Sequence, residues 1–248
     1  DAHVARFQGP PFVYGFTQVG SGCGVVSAGS CVVADQAAYW MGQNGFFVYD
    51  GRVQPLRSAV GDFIFENLNV SQRSKVVGVL NSQFSEVVWF YPSTGSTEND
   101  SYVSYNYMEG HWQVGTLSRT AGFDTGTFVY PNYVDATGII YEHEVGYAYD
   151  SDTEVFAESG PIQLGNGDRM MVAKSLIPDE KTQGDVTATF KTRFFPNGTE
   201  SSFGPFNMAN PTSVRFQGRQ VQMRITGNTP TSWRVGTMRL DVVEGGRR

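Results

Sequence analysis

Ala37-Ala38-Tyr39-Trp40-Met41, then Gly42-Gln43-Asn44-Gly45, then Phe46-Phe47-Val48-Tyr49: this stretch decides the fold class. Two short apolar, aromatic runs flank a Gly- and Asn-containing linker. Neither run is long enough for a helix, and Asn-Gly supplies the backbone conformations that a tight reversal needs. The stretch therefore reads as a β-hairpin.

The same texture extends both ways along the chain. Upstream, Phe12–Gln18, Gly24–Ser27 and Ser30–Ala34 read as strands. Downstream, Arg52–Pro55, Val76–Leu80, Glu86–Tyr91, Ser101–Tyr107 and Trp112–Thr116 do so. One patch has helical spacing, Val60–Leu68, where Val60, Phe63, Ile64 and Leu68 recur and Asp62 is placed to cap the start.

Aromatic hairpins recur. Tyr39-Trp40-Met41 leads to Phe46–Tyr49, Val88-Trp89-Phe90-Tyr91 leads to Val103–Tyr107, and Ile139-Ile140-Tyr141 leads to Tyr147-Ala148-Tyr149-Asp150. Trp40 to Trp89 spans 49 residues and Trp89 to Tyr141 spans 52. A period near 50 with one aromatic hairpin per unit is the pattern of kelch-type β-propeller blades.

From Ile162 the texture changes to regular alternation. Val186–Phe195, Val214–Phe216, Gln220–Thr226 and Ser232–Val243 read as strands with one buried and one polar face. The expectation is an all-β chain: propeller-like blades over 1–160, the C-terminal part of a larger propeller, and a sandwich-like β region over 161–248.

Composition limits the function. Of 248 residues, 40% are hydrophobic and only 17% charged, so there is material for a sizeable core and a surface covered mainly by uncharged polar groups and glycine. The net charge of −6 argues against a protein that grips nucleic acid through phosphates, although a mildly acidic wall lets DNA slide past without sticking. No apolar run reaches the ~20 residues that span a bilayer, and no signal peptide is visible. The start at Asp1 rather than Met suggests the C-terminal part of something longer.

Candidate chemistry is sparse, and nothing points to a cofactor. Cys23 and Cys31 read either as a pair across a hairpin or, preferably, as two buried free thiols. Glu142-His143-Glu144 puts the two carboxylates on one strand face and the imidazole on the other, so they cannot converge on a metal locally. Asp150-Ser151-Asp152-Thr153-Glu154 begins like a calcium loop but lacks its Gly and final Glu. No nucleophile signature accompanies His3, His111 or His143. Gly20–Gly24 is a turn rather than a phosphate loop, and the sequons at Asn69, Asn99 and Asn197 read as coincidental. The strongest enzyme alternative is a glycosidase whose carboxylates come from Asp50, Glu98, Asp100, Glu109 and Asp150; a glycan-binding module is the other alternative.

The order of these motifs resembles the propeller-bearing nozzle, or packaged-DNA-stabilisation, proteins in the tails of short-tailed bacteriophages and their marine relatives. The matching stretches are Ala38–Gly42 with Phe46–Gly51, Val87–Pro92, Gly218-Arg219-Gln220, Trp233–Gly236, Arg239–Val242 and Gly245–Arg248. The resemblance implies a virion protein: a hexameric ring below the portal and adaptor, in contact with other tail proteins, retaining double-stranded DNA and later passing it. It brings no catalytic residues. The arginines Arg215, Arg219, Arg224, Arg234, Arg239, Arg247 and Arg248 are then expected to pair with acidic turns across subunits in preference to facing DNA in the lumen.

Overall fold

A computed structural model describes residues 1–147, 154–163, 167, 169–179, 186–208, 211–227 and 231–246. The fold is all-β, with antiparallel sheets throughout. It divides into two compact units, Asp1–Val145 and Gly146–Arg248.

The first unit opens with a hairpin of β1 (Ala2–Phe7) and β2 (Tyr14–Gly20). The expected strand Phe12–Gln18 starts later, at Tyr14, because the chain reverses at Pro10-Pro11, where the Gln8 amide donates to the Val13 carbonyl. Next comes a four-stranded meander, β3 (Cys31–Ala34), β4 (Ala37–Met41), β5 (Phe46–Tyr49) and β6 (Val53–Leu56). The hairpin that decided the fold class is β4–β5, closed by the Gly42 amide donating to Gly45. Gly24–Ser27 is not a strand and makes only a bridge from Val25 to Gly42.

Helix α1 (Gly61–Asn67) follows. Asp62 lies in its first turn but does not cap it: Val60 is the N-cap, with no side-chain cap hydrogen bond. Phe63 faces solvent, while Ile64 is fully buried and Phe65 meets Phe46 in the core.

A second meander comprises β7 (Val77–Asn81), β8 (Glu86–Tyr91), β9 (Ser101–Asn106) and β10 (Trp112–Thr116). A third sheet has three strands, β11 (Ala121–Phe123), β12 (Asn132–Val134) and β13 (Ile140–Glu142). This corrects the register of the aromatic repeat. Trp40 and Trp89 lie on the second strands of their sheets, but Tyr141 lies on a third strand; the second-strand aromatic of the third sheet is Tyr133, buried edge-on against Phe90. The expected partner run beyond Tyr141 lies outside the described residues from Ala148.

Successive sheets pack face to face. Val32, Ala34, Met41 and Phe46 meet Val87, Trp89, Tyr91 and Val103 in one core, and Val79, Val88 and Phe90 meet Tyr133 in the next. Their first strands lie side by side, β3 against β7 and β7 against β11. Bare backbone is required there: a Cβ on Gly78 would come within 2.5 Å of Val32 Cγ2, and the Gly78 amide donates to the Gly29 carbonyl. Both repeated tryptophans serve as ties as well as filler. Trp40 Nε1 donates to the Cys23 carbonyl at 2.7 Å and Trp89 Nε1 to the Ser30 carbonyl at 2.8 Å. Each buried indole thus holds an upstream loop, and its N–H is satisfied.

The second unit encloses one core between two sheets. One contains β14 (Val155–Glu158), β20 (Gln220–Gly227), β17 (Val186–Arg193) and β18 (Ser201–Asn207), with β15 (Ile162–Gln163) also on β20. The other contains β19 (Thr212–Gly218), β16 (Met171–Ile177) and β21 (Arg239–Glu244). Strict alternation on β17 sends Val186, Ala188 and Phe190 inward, where Phe190 stacks on Phe216 at 4.6 Å. Burial of Val186 and of Phe190 contributes roughly 1.5–3 kcal/mol each, and that of the single methyl of Ala188 less. The expected strand Ser232–Val243 shortens to β21, and the change of texture seen at Ile162 starts earlier, because β14 already pairs with β20.

Candidate functional site

Two apolar surfaces in the first unit are left uncovered. In the β1–β2 hairpin, antiparallel register places Phe7 opposite Tyr14 and Ala5 opposite Phe16, all on one face. The rings of Phe7 and Tyr14 meet edge-on at 5.8 Å, yet Phe7 is 70% exposed and Phe16 75%. Phe12 and Val13, in the turn that joins the strands, are exposed as well. A two-stranded hairpin is marginal in water, and exposed aromatics of this extent mark an interaction surface. The second surface belongs to the third sheet and its loops, where Phe128, Val129, Ile139, Ile140 and Val145 are exposed.

A polar cluster borders that sheet. Arg119 Nε donates to His143 Nε2 at 2.9 Å, and its guanidinium lies 4.2 Å from the Tyr141 ring centroid. Burial, and then the Arg119 charge, push the His143 imidazole down to about 4, so it is a neutral acceptor at pH 7. His143 also packs at 4.2 Å on Tyr133, and Asn81 donates to Glu144 at 3.1 Å. Glu86 sits nearby, raised by burial and by Glu144. Among the described residues, no group of three or more His, Cys, Asp or Glu is placed to hold a metal.

The arginines take different environments. Arg224 is engaged within its own chain: it meets Glu158 at 3.1 Å and Glu154 at 2.5 Å and lies 3.6 Å from the Phe156 ring centroid. Glu158 also receives Lys191 at 2.9 Å. Partial burial opposes its ionisation, but the hydrogen bonds from Lys191 and Arg224 win and hold the carboxyl below its ordinary range. The half-buried Arg219 lies over Phe195 at 5.4 Å. Arg215 is exposed on β19 and, with Lys174, borders a groove of about 620 Å³ that includes Phe203 and Phe216. Two cations beside aromatic rings suit an acidic side chain. Arg234 and Arg239 are exposed. Arg247 and Arg248 lie outside the described residues.

The carboxylates considered for a glycosidase are occupied locally. Asp50 accepts from Gln54, Glu98 pairs with Lys75, Asp100 holds the Ser93 amide and hydroxyl, and Glu109 lies 3.4 Å from His111. Glu98 and Asp100 precede β9 and Glu109 follows it, so the strand holds them roughly 20 Å apart, too far for a catalytic pair. Asp150 and Asp152 lie outside the described residues. Both cysteines are free, Cys23 buried in a loop and Cys31 exposed on β3. Asn99 is 1% exposed and donates to the Lys75 and Arg119 carbonyls, so this sequon is structural. The hairpin surface was legible in part: Phe7, Phe12, Tyr14 and Phe16 are visible in the sequence, but not their exposure.

No protein-family model matches this chain, and no curated protein sequence matches it.

Proposed function

We propose that this chain is a structural, ring-forming component of a bacteriophage tail, a nozzle or tube element that retains the genome and later conducts it. The observation that carries the reading is the pair of uncovered apolar surfaces in a unit whose sheets otherwise bury their aromatics. Such surfaces require a neighbour. The motif order resembling tail nozzle proteins supplies the virion, and the three sheets with adjoining first strands suit consecutive propeller blades. The partners would be further copies in a hexameric ring, the portal–adaptor assembly and other tail proteins, with double-stranded DNA in transit. A net charge of −6 favours passage over retention at the wall.

Native mass spectrometry and direct imaging of the full-length protein test the assembly, and antibody labelling of intact particles tests its place. Closed rings with a central channel, and label on tails, are expected. A monomer across micromolar concentrations, together with unlabelled particles, refutes the reading.

A further inference from the structure

We propose that the groove beside β19 takes up an extended acidic segment of a partner protein as an added strand. Such binding is independent of ring formation. Among the described residues β19 hydrogen-bonds to β16 alone, so it is an edge of its sheet. An edge strand presents backbone amides and carbonyls that a further strand can take up. The neighbouring β18 is an edge of the other sheet, but it carries Pro205, which has no amide to give, so β19 is the better template. The groove of about 620 Å³ is bordered by β16, β18 and β19, a size within the range of ligand sites.

Charge identifies the occupant. Lys174 and Arg215 are both exposed and border this groove from adjacent strands, at the bulge where Ala173 pairs with Phe216 but Ser175 pairs with Ser213. Like charges on neighbouring strands destabilise a sheet, and bulges re-aim side chains at binding sites. Among the described residues neither cation has an ion pair, and β16, β18 and β19 contain no Asp or Glu. The carboxylates nearest in sequence or on β21, Asp179, Glu200, Asp241 and Glu244, lie outside the groove. Glu244 is taken by Arg169, and Arg219 and Arg239 formally balance two of the others. Two uncompensated cations beside Phe203 and Phe216 therefore fit carboxylates on an otherwise apolar segment. In an added strand, acidic residues at every second position would meet Lys174 and Arg215, and the apolar residues between them would meet the rings. Duplex DNA also offers anions, but its bases are stacked away from the two rings, and the chain's net charge of −6 opposes it.

Fluorescence anisotropy of the full-length protein with a labelled Val-Glu-Phe-Glu-Val peptide tests this, with Val-Gln-Phe-Gln-Val and a short DNA duplex as comparison probes. The acidic peptide is expected to bind at least about tenfold more tightly than the glutamine peptide, the worth of a hydrogen bond to a charged group. Arg215→Gln and Lys174→Gln should each remove most of that difference. Because an extended strand uses one edge to pair, N-methylation of the peptide amides on one edge should abolish binding, and on the other edge should not. Both substituted positions are exposed, and relief of like-charge repulsion should leave the Tm of the unliganded protein unchanged or raise it at low salt. Several results overturn the proposal: an acidic peptide that does not bind at millimolar concentration, or that binds no better than the glutamine peptide; binding indifferent to both substitutions or to methylation of both edges; a lowered Tm in either variant; or a duplex that binds more tightly through the same two residues. Self-association that Arg215→Gln abolishes, without peptide binding, gives the groove to a second copy and overturns it equally.

Discussion

Replacing Trp89 with phenylalanine separates the two roles assigned to the repeated tryptophans. Trp89 is fully buried, its ring packs 5.1 Å from Phe46, and its Nε1 donates to the Ser30 carbonyl at 2.8 Å. Phenylalanine keeps most of the packing and loses the donor. The lost ring area costs about 1 kcal/mol at ~25 cal/mol/Å². The Ser30 carbonyl keeps only a long contact from the Met41 amide at 3.4 Å, and a buried acceptor short of a partner costs about 1–2 kcal/mol. Trp89→Phe should therefore destabilise the first unit by about 2–3 kcal/mol, and Trp89→Ala by about 3–5 kcal/mol through the cavity it leaves. Urea titration read by amide exchange on β7–β9 isolates this unit from the second. The phenylalanine variant should shift the midpoint by roughly 1 M with the slope unchanged. A Trp89→Phe protein within about 0.5 kcal/mol of the parent, with Trp40→Phe equally silent, refutes the view that indole donors tie successive loops to the sheets.

Three other perturbations follow from the same contacts. Gly78→Ala forces a Cβ to within 2.5 Å of Val32 where β3 meets β7, and should cost about 1–3 kcal/mol by overpacking; Gly78→Ala with Val32→Ala should recover part of that in a double-mutant cycle. The His143 imidazole is held at about 4 in the folded chain against 6.5 unfolded, so between those values the unfolded state binds the extra proton. Stability conferred by neutral His143 is present above pH 6.5 and is lost as pH falls towards 4, by on the order of 1–2 kcal/mol after screening at this half-exposed site. Glu86, raised by burial, tilts the profile the other way, so the readout is the stability of the parent minus that of His143→Gln, which should fall by that amount as pH drops from 6.5 towards 4. Glu158→Gln removes the acceptor shared by Lys191 and Arg224 and should destabilise the second unit by about 1 kcal/mol at low salt and less in 1 M NaCl; equal effects at both salts count against an electrostatic origin.

Strand identity in the first unit was open to sequence reading because it is a local property. Ala37–Met41, Phe46–Tyr49, Glu86–Tyr91 and Trp112–Thr116 carry aromatic or β-branched runs bounded by turn residues, and each is a strand with those ends. The misses have local causes too. Met171–Ile177 contains Lys174 and Ser175 at a bulge, which breaks its alternation, and Ser201–Asn207 carries Gly204-Pro205 inside a strand. Neither carries a strand signature until a partner strand is present.

By itself, then, the sequence determined the all-β class, the positions of the first two aromatic hairpins and the alternation of the C-terminal strands, because side-chain period and turn chemistry act over a few residues. Only the tertiary structure decided which aromatics are covered. Phe16 and Phe90 are alike as residues, yet one is 75% exposed and the other 1%, since burial depends on sheets distant in sequence. It also gave Tyr133 rather than Tyr141 the second-strand place in the third sheet, and it joined Arg224 to Glu154 and Glu158 across the whole second unit. These are long-range pairings, selected by how faces fit together once the strands exist, and no local pattern encodes them.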